Sequence, residues 1–403
     1  MHPQVGGRQD NAPGDFRMTI KADAWVLHAG DGSNPPTRAE LRREVFEFDD
    51  IRADEVLVEP LFGCWEGNMG HALDRLPVDI CLQRKEPRIV FGNAGVVRVV
   101  SCGKDVKTVE PGQKAIVFCV GVEDEWGYPK KIYGYDAPNS IGILATKTKL
   151  RDRQLIPIPD DTKHSLEQWA AFSLRYITAW SNWELAYGTF RLLVPEWELP
   201  TPNVWGWGGG VTLGELDLAR KRHGCNAIML SANEIRLETI RKVGIQAIDR
   251  REFGKLSFDD KKFAQDPEYA AAYRQAEEKF LTRVREITKG RMVQIFIDYV
   301  GGPVYRPTLK ALSREGVITT AGWKEGMKLS SIRAIECIDR HQHIHTHYAR
   351  YQQGVSAVAY AEPNGWMPIV DERVYNFDEI PELVAAYDND LVNCFPCYAV
   401  NPS

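Results

Sequence analysis

The sequence predicts an α/β protein in which a β-rich part is joined to a doubly wound parallel sheet. Strand-like runs separated by turns fill the region from Ala24 to Val122, and strand and helix patterns alternate from Pro202 onward. Between them stands PNVWGWGGGVTLGELDLAR, Pro202 to Arg220: a strand-like run, a glycine cluster, then an amphipathic run beginning at Leu213. That order is how a dinucleotide-binding βαβ unit begins.

Residues 1–20 are polar, with Gly, Pro and Asp, and read as a flexible leader. Strands are expected at AWVLHAG (24–30), DEVLVEPLFG (54–63), GVVRVVSCG (95–103) and QKAIVFCVGV (113–122). Residues 164–188 carry long helical patterning without proline and form the connection out of the β-rich part. Beyond the glycine cluster come NAIMLS as a strand, NEIRLETIRKVG as a helix, AIDR and MVQIFIDYVGG as strands, VYRPTLKALSREG as a helix and VITTAGW as a strand. Residues 255–290 interrupt this alternation with a highly charged helical stretch, read as a surface insertion. The C-terminal segment offers a strand-like MPIVDERVYNF and a helix DEIPELVAAYDND, and can fold back on the first domain.

At 403 residues the chain exceeds one ordinary core, and its 44% hydrophobic content can fill two domains. A net charge of −5 offers no overall basic face to nucleic acid or an anionic membrane, so a small-molecule partner is expected. With no run of about eighteen apolar residues and no apolar signal-peptide core at the N-terminus, a cytoplasmic location is expected. The eight cysteines are scattered as reduced thiols would be. Cys394 and Cys397 form a C-x-x-C pair without a second ligand pair, and buried thiols are expected there.

A pyrophosphate site needs a tight turn, a backbone without Cβ atoms in the way and a helix N-terminus whose free N–H groups face the anion. Gly206, Gly208, Gly209 and Gly210 can supply that turn, although counting G-x-G-x-x-G from Gly206 puts Val211 at the third glycine place.

Several phrases, in order, give the chain a family likeness: DEVLVEPLFGCWEGN (54–68), FGNAGVVRVVSCGKDVKTVEPGQKAIVFC (91–119), IYGYDAPNSIGILATKTKLRDRQLIPIPDD (132–161), WAAFSLRYITAW (169–180), RHQHIHTHYARYQQG (340–354) and VYNFDEIPELVAAYDND (374–390). The chain resembles the medium-chain dehydrogenase/reductase superfamily, most closely its crotonyl-CoA carboxylase/reductase and enoyl-thioester reductase branch. The resemblance implies a GroES-like catalytic domain, residues 21–180 and 355–403, and a Rossmann nucleotide-binding domain, residues 181–354, with the charged insertion at 255–290. It further implies NADPH between the domains and reduction of an α,β-unsaturated thioester or related conjugated carbonyl, with a CoA or carrier-protein thioester as substrate and a homo-oligomeric assembly. Alternatives are reductive carboxylation of an enoyl-CoA, or a non-redox biosynthetic or binding protein that keeps the fold.

In carboxylating relatives, carbon dioxide sits among an Asn, an aromatic–Glu pair and a His, and the matching positions here are Asn68, Tyr135, Asp136 and His347. Asp136 is one methylene shorter than the family's Glu, and Tyr135 carries a hydroxyl where the family has Phe. These four line the expected substrate site, with Tyr135 or His347 as the proton donor. Gly206, Gly208, Gly209, Ser231 and Arg236 are expected at the nucleotide: no carboxylate follows the second strand before Glu234, which favours NADPH over NADH. Zinc-dependent members need ligands that Cys64 and Phe91-Gly92-Asn93 do not complete, so no catalytic metal is expected. The alternating His341, His343, His345 and His347 would share one face of a strand, but read as packed or hydrogen-bonded side chains rather than a metal comb. Against the family's register Thr212 replaces the third glycine, and Glu215 and Asp217 place carboxylates in the early helix, either facing solvent or weakening dinucleotide binding. Trp205 and Trp207 either narrow the cofactor site or belong to the core.

Overall fold

The computed structural model describes residues 18–321, 338–346 and 348–402. The N-terminal part holds β1 (Thr19–His28), β2 (Arg42–Asp49), β3 (Glu55–Cys64), α1 (Gly67–Asp74), α2 (Ile80–Arg84), β4 (Arg88–Val90), β5 (Gly95–Cys102), β6 (Lys114–Val117), β7 (Val120–Glu123), β8 (Pro129–Ile132), β9 (Thr148–Arg151) and β10 (Leu155–Pro157). The long α3 (Leu166–Leu193) follows, started by Ser165, whose hydroxyl accepts from the Gln168 amide. Then come β11 (Asn203–Trp207), α4 (Gly210–His223), β12 (Asn226–Ser231), α5 (Glu234–Val243), β13 (Gln246–Asp249), α6 (Asp260–Gln265), α7 (Pro267–Thr288), β14 (Val293–Asp298), α8 (Gly302–Ala311), β15 (Leu312–Thr320) and β16 (His343–Thr346). The chain closes with α9 (Tyr351–Asn364), β17 (Val374–Tyr375), α10 (Ile380–Asp388) and β18 (Cys397–Ala399).

The second half forms a sheet in the order β13-β12-β11-β14-β15-β16 with every pairing parallel. Strand order reverses between β11 and β14, the crevice where such sheets bind ligands. The first half forms mainly antiparallel sheets, and the C-terminus returns to complete one of them: β18 pairs with β3, setting Cys397 opposite Cys64. The notional boundary at residues 180 and 181 falls inside α3, whose buried face joins Val96 and Ile116 of the antiparallel sheet to Ile295, Ile297 and Val317 of the parallel one in a single core. No helix of the described residues is long and apolar enough to cross a membrane.

Several elements differ from expectation. Residues 255–290 are no surface appendage: α7 buries Ala276, Phe280 and Val284 in a core shared with Trp205, Trp207 and Phe296, and Tyr273 packs against Phe258 and Phe263. Most of the charges of α7 lie on the opposite face, which is why composition alone suggests a solvated stretch; Glu277 is the exception, buried against Tyr273 and Lys310. Helix α8 ends at Ala311, and LSREG belongs to β15 instead. Of MPIVDERVYNF only Val374 and Tyr375 pair as strand. His341 has φ +52 and stands before β16, so among the described histidines only His343 and His345 share a strand face, their rings stacked 6.4 Å apart. Cys394 and Cys397 are both buried.

The departure at Thr212 is resolved by packing. A Cβ on Gly206 would lie 2.6 Å from Thr212 Cγ2, and one on Gly208 would lie 2.3 Å from Thr212 Oγ1. The threonine occupies the volume those two glycines leave open, and its hydroxyl donates to Trp207 O at 3.3 Å. Close helix–strand contact is therefore kept by moving the bulk from strand to helix. Glu215 and Asp217 face neither solvent nor the helix start: both are buried, Glu215 against Tyr299 at 3.0 Å and Asp217 against Arg220 at 2.8 Å. G206A is expected to lower stability by about 1–3 kcal/mol. Pairing it with T212A should recover part of that loss in urea unfolding; equal stability of G206A and the parent would contradict the packing account.

Candidate active site

A cleft of about 980 Å³ runs from the end of β12 past the glycine turn to the wall of the antiparallel domain. Its floor is the start of α4: Trp207, Gly208, Gly209, Gly210 and Val211 all line it. Gly208 has φ +148, a conformation that side chains disfavour, and a Cβ on Gly209 would meet nothing within 4 Å. The turn thus leaves bare backbone and free helix N–H groups facing the cleft, which fits a pyrophosphate. Helix α4 starts at Gly210, ahead of the expected Leu213, so the turn is tighter than the sequence suggested. Gly206 is not on the cleft wall; it is buried beneath Thr212 and Ile297, a packing glycine rather than a cofactor contact.

At one end stand Ser231, Asn233, Arg236, Arg250, Arg251 and Lys255. Ser231 Oγ accepts from the Asn233 amide, and Asn233 in turn caps α5 by accepting from the Arg236 amide. Arg236 bonds Asp390 at 2.8 Å, which ties α5 to the C-terminal segment. Arg251 is held by Asp249 and Glu234, whereas Arg250 and Lys255 have no ion pair among the described residues. Sequence reading missed Arg250 and Lys255 because they follow the third strand, beyond the segment where cofactor selectivity is ordinarily sought.

The opposite wall carries Glu66, Asn68, Asn93, Cys119 and Tyr135, with Tyr348 beside them. Buried oxygen or nitrogen atoms of Glu66, Asn68 and Asn93 lack a hydrogen-bond partner, the state of a polar wall built for a ligand rather than for itself. Burial pushes the Tyr135 hydroxyl up to about 12, so it remains a donor. Asp136 departs from expectation: it is absent from the cleft lining and accepts the Ile132 amide at 2.6 Å, holding the turn beneath Tyr135. His347 lies outside the described residues.

Behind this wall sits the residue that sequence reading overlooked. Arg175 of α3 is buried and lines the cleft, donating to Cys64 Sγ and Trp65 O, both at 2.7 Å. Its Nη1 lies 3.1 Å from Glu66 Oε1, and its guanidinium stacks 5.5 Å from the Phe395 ring. A Cβ on Gly210 would collide with Arg175 Cδ at 2.7 Å, so α4 starts against this side chain. Burial works against the arginine's charge, and its neighbours, Cys64 foremost, more than restore it. Burial likewise raises the Cys64 thiol, but the Cys397 hydrogen bond and Arg175 override it and hold it at about 7. An arginine inside an otherwise apolar helical run carried only one weak signal, its unlikely place in WAAFSLRYITAW. R175M is expected to destabilise the protein by about 3–5 kcal/mol, since it strands buried acid partners. Urea unfolding checks this, and a loss below about 1 kcal/mol would contradict it.

No protein-family model matches the chain. It is 24% identical over 321 residues to a crotonyl-CoA reductase of Streptomyces avermitilis, covering 77% of this chain and 67% of the relative. A crotonyl-CoA reductase of Streptomyces collinus is 24% identical over 305 residues, with 73% of this chain and 63% of the relative covered. The chain therefore spans about two thirds of the length of these curated relatives. Among solved structures, crotonyl-CoA carboxylase/reductase AntE in complex with NADP superposes with TM-score 0.76 at 20% identity, covering 95% of each chain. The 2-octenoyl-CoA carboxylase reductase CinF, in complex with NADP and 2-octenoyl-CoA, gives 0.77 at 19% identity, over 95% of this chain and 88% of the other. The architecture is thus GroES-like plus Rossmann. Sheet order and the returning C-terminal strand give the chain the fold of these structures, and in sequence it is similar to the crotonyl-CoA reductases.

Proposed function

We propose that this protein is an NADPH-dependent reductase of an α,β-unsaturated acyl thioester. The observation that carries the reading is the single cleft in which a bare glycine turn faces a wall of unpartnered polar side chains. Relatives named as crotonyl-CoA reductases and neighbours holding NADP support it. NADPH bound there supplies hydride to the β-carbon of the conjugated acyl group. Gly208, Gly209 and the amides that open α4 receive the pyrophosphate, while Ser231, Arg236, Arg250 and Lys255 surround the place for a ribose phosphate. Asn68 and the protonated Tyr135 donate to the thioester oxygen as negative charge builds on it. The apolar lining from Phe118, Ile132 and Ile177 keeps water from that oxygen.

Reduction without carboxylation is favoured because Asp136, matched to an acid of the carbon dioxide pocket, is engaged by its own turn. The experiment is NADPH oxidation with short and medium enoyl-CoA esters, with and without bicarbonate, followed by product analysis. Saturated acyl thioester at a rate indifferent to bicarbonate is expected. A carboxylated product would transfer the assignment to the reductive carboxylase, and no oxidation with any enoyl thioester would contradict both. R250A is expected to weaken NADPH by roughly tenfold or more, from the loss of one charge-assisted contact, and to leave NADH nearly unchanged. Equal effects on both cofactors in a binding titration would remove Arg250 from the phosphate site.

A further inference from the structure

Hydride addition to the β-carbon leaves an enolate whose α-carbon must receive a proton. Resting on the reductase reading, we propose that Glu66 is the catalytic acid that delivers this proton, with Arg175 as the positioning residue that receives the carboxylate left behind. Glu66 lines the cleft at the entry to α1, beside Asn68, and its side chain is only 6% exposed. Its Oε1 is buried without a hydrogen-bond partner. Arg175 Nη1 lies 3.1 Å from this oxygen but makes no aligned hydrogen bond to it; its aligned bond goes to Cys64 Sγ.

One cation therefore faces two acids, and its charge needs only one anion. Cys64 takes the aligned bond, and its thiol ionises near neutrality at about 7. Glu66 is left as the neutral member: burial raises its carboxyl well above the usual range, Arg175 offsets only part of this, and negative charge on Cys64 adds to it. The other charged or titratable groups felt at this carboxyl are Cys119, Tyr387 of α10 and Tyr398 of β18. None is a better acid: burial pushes Cys119 and Tyr135 up to about 12 and raises Tyr348. In the step, the Glu66 O–H bond breaks and an α-carbon C–H bond forms. The enolate's electron pair makes the new bond, and the O–H pair stays on the carboxylate beside Arg175. Solvent entering the open cleft after product release returns the proton.

The test compares wild type with E66Q and E66D in D₂O, reading NADPH oxidation and the configuration of deuterium at the α-carbon. E66Q is expected to lower kcat by roughly a hundredfold or more with KM changed only a few-fold, and to lose facial selectivity of deuteration. The acid must carry its proton, so wild-type kcat falls as pH rises through the raised Glu66 pKa; E66D shifts that limb and E66Q abolishes it. A folded E66Q with wild-type kcat and single-face deuteration overturns the assignment. So does an unshifted limb in E66D, a reading that stands even if E66Q does not fold. A wild type that oxidises no NADPH with any enoyl thioester overturns the reductase reading and this assignment with it.

Discussion

A guanidinium shut away from water must be matched, and Arg175 is matched by three elements at once. Cys64 and Trp65 come from the end of β3 and the residue after it, Glu66 precedes α1, and Phe395 comes from the segment leading into β18. The same side chain presses on Gly210, the first residue of α4. One buried charge on the shared helix α3 thereby fixes the distance between the antiparallel wall and the glycine turn. The cost of burying ions is offset only when geometry satisfies them, so the wall cannot drift from the turn without exposing an unmatched charge. That constraint holds the glycine turn and the polar wall of the cleft at a set separation.

The glycine turn shows how a fingerprint can be altered without losing its physics. A third glycine ordinarily allows helix and strand to approach closely. Here Thr212 sits in the space that Gly206 and Gly208 vacate, so close approach survives with the bulk on the other side. Glu215 and Asp217, early-helix carboxylates that would repel an anion if they faced it, are turned inward to Tyr299 and to Arg220 and Lys221. Neither carboxylate opposes the helix N-terminus.

Architecture was legible because it is written in periodicity. NAIMLS coincides with β12, and the proline-free run from His164 became α3. The glycine turn was legible as composition, since its backbone at Gly208 takes a positive φ that favours glycine. What stayed hidden depended on tertiary partners. Phe280 and Val284 look like stray apolar residues in a charged stretch until α7 lies on Trp205 and Trp207. Arg175 and Glu66 are separated by more than a hundred residues, and nothing in their own phrases links them; only folding reveals one cation between two acids. Asp136 was placed at the site by phrase matching, but a bond to the Ile132 amide spends its oxygen on a turn.

The proposed reductase requires the cleft to be a dinucleotide site that reads the ribose phosphate. Its most direct measurement is titration of the protein with NADPH and with NADH, followed by nicotinamide fluorescence. Saturable binding with NADPH preferred over NADH by roughly tenfold or more is expected from charge-assisted contacts to the phosphate. No binding of either nucleotide up to millimolar concentration would contradict the account and assign the Thr212-filled turn to some other ligand.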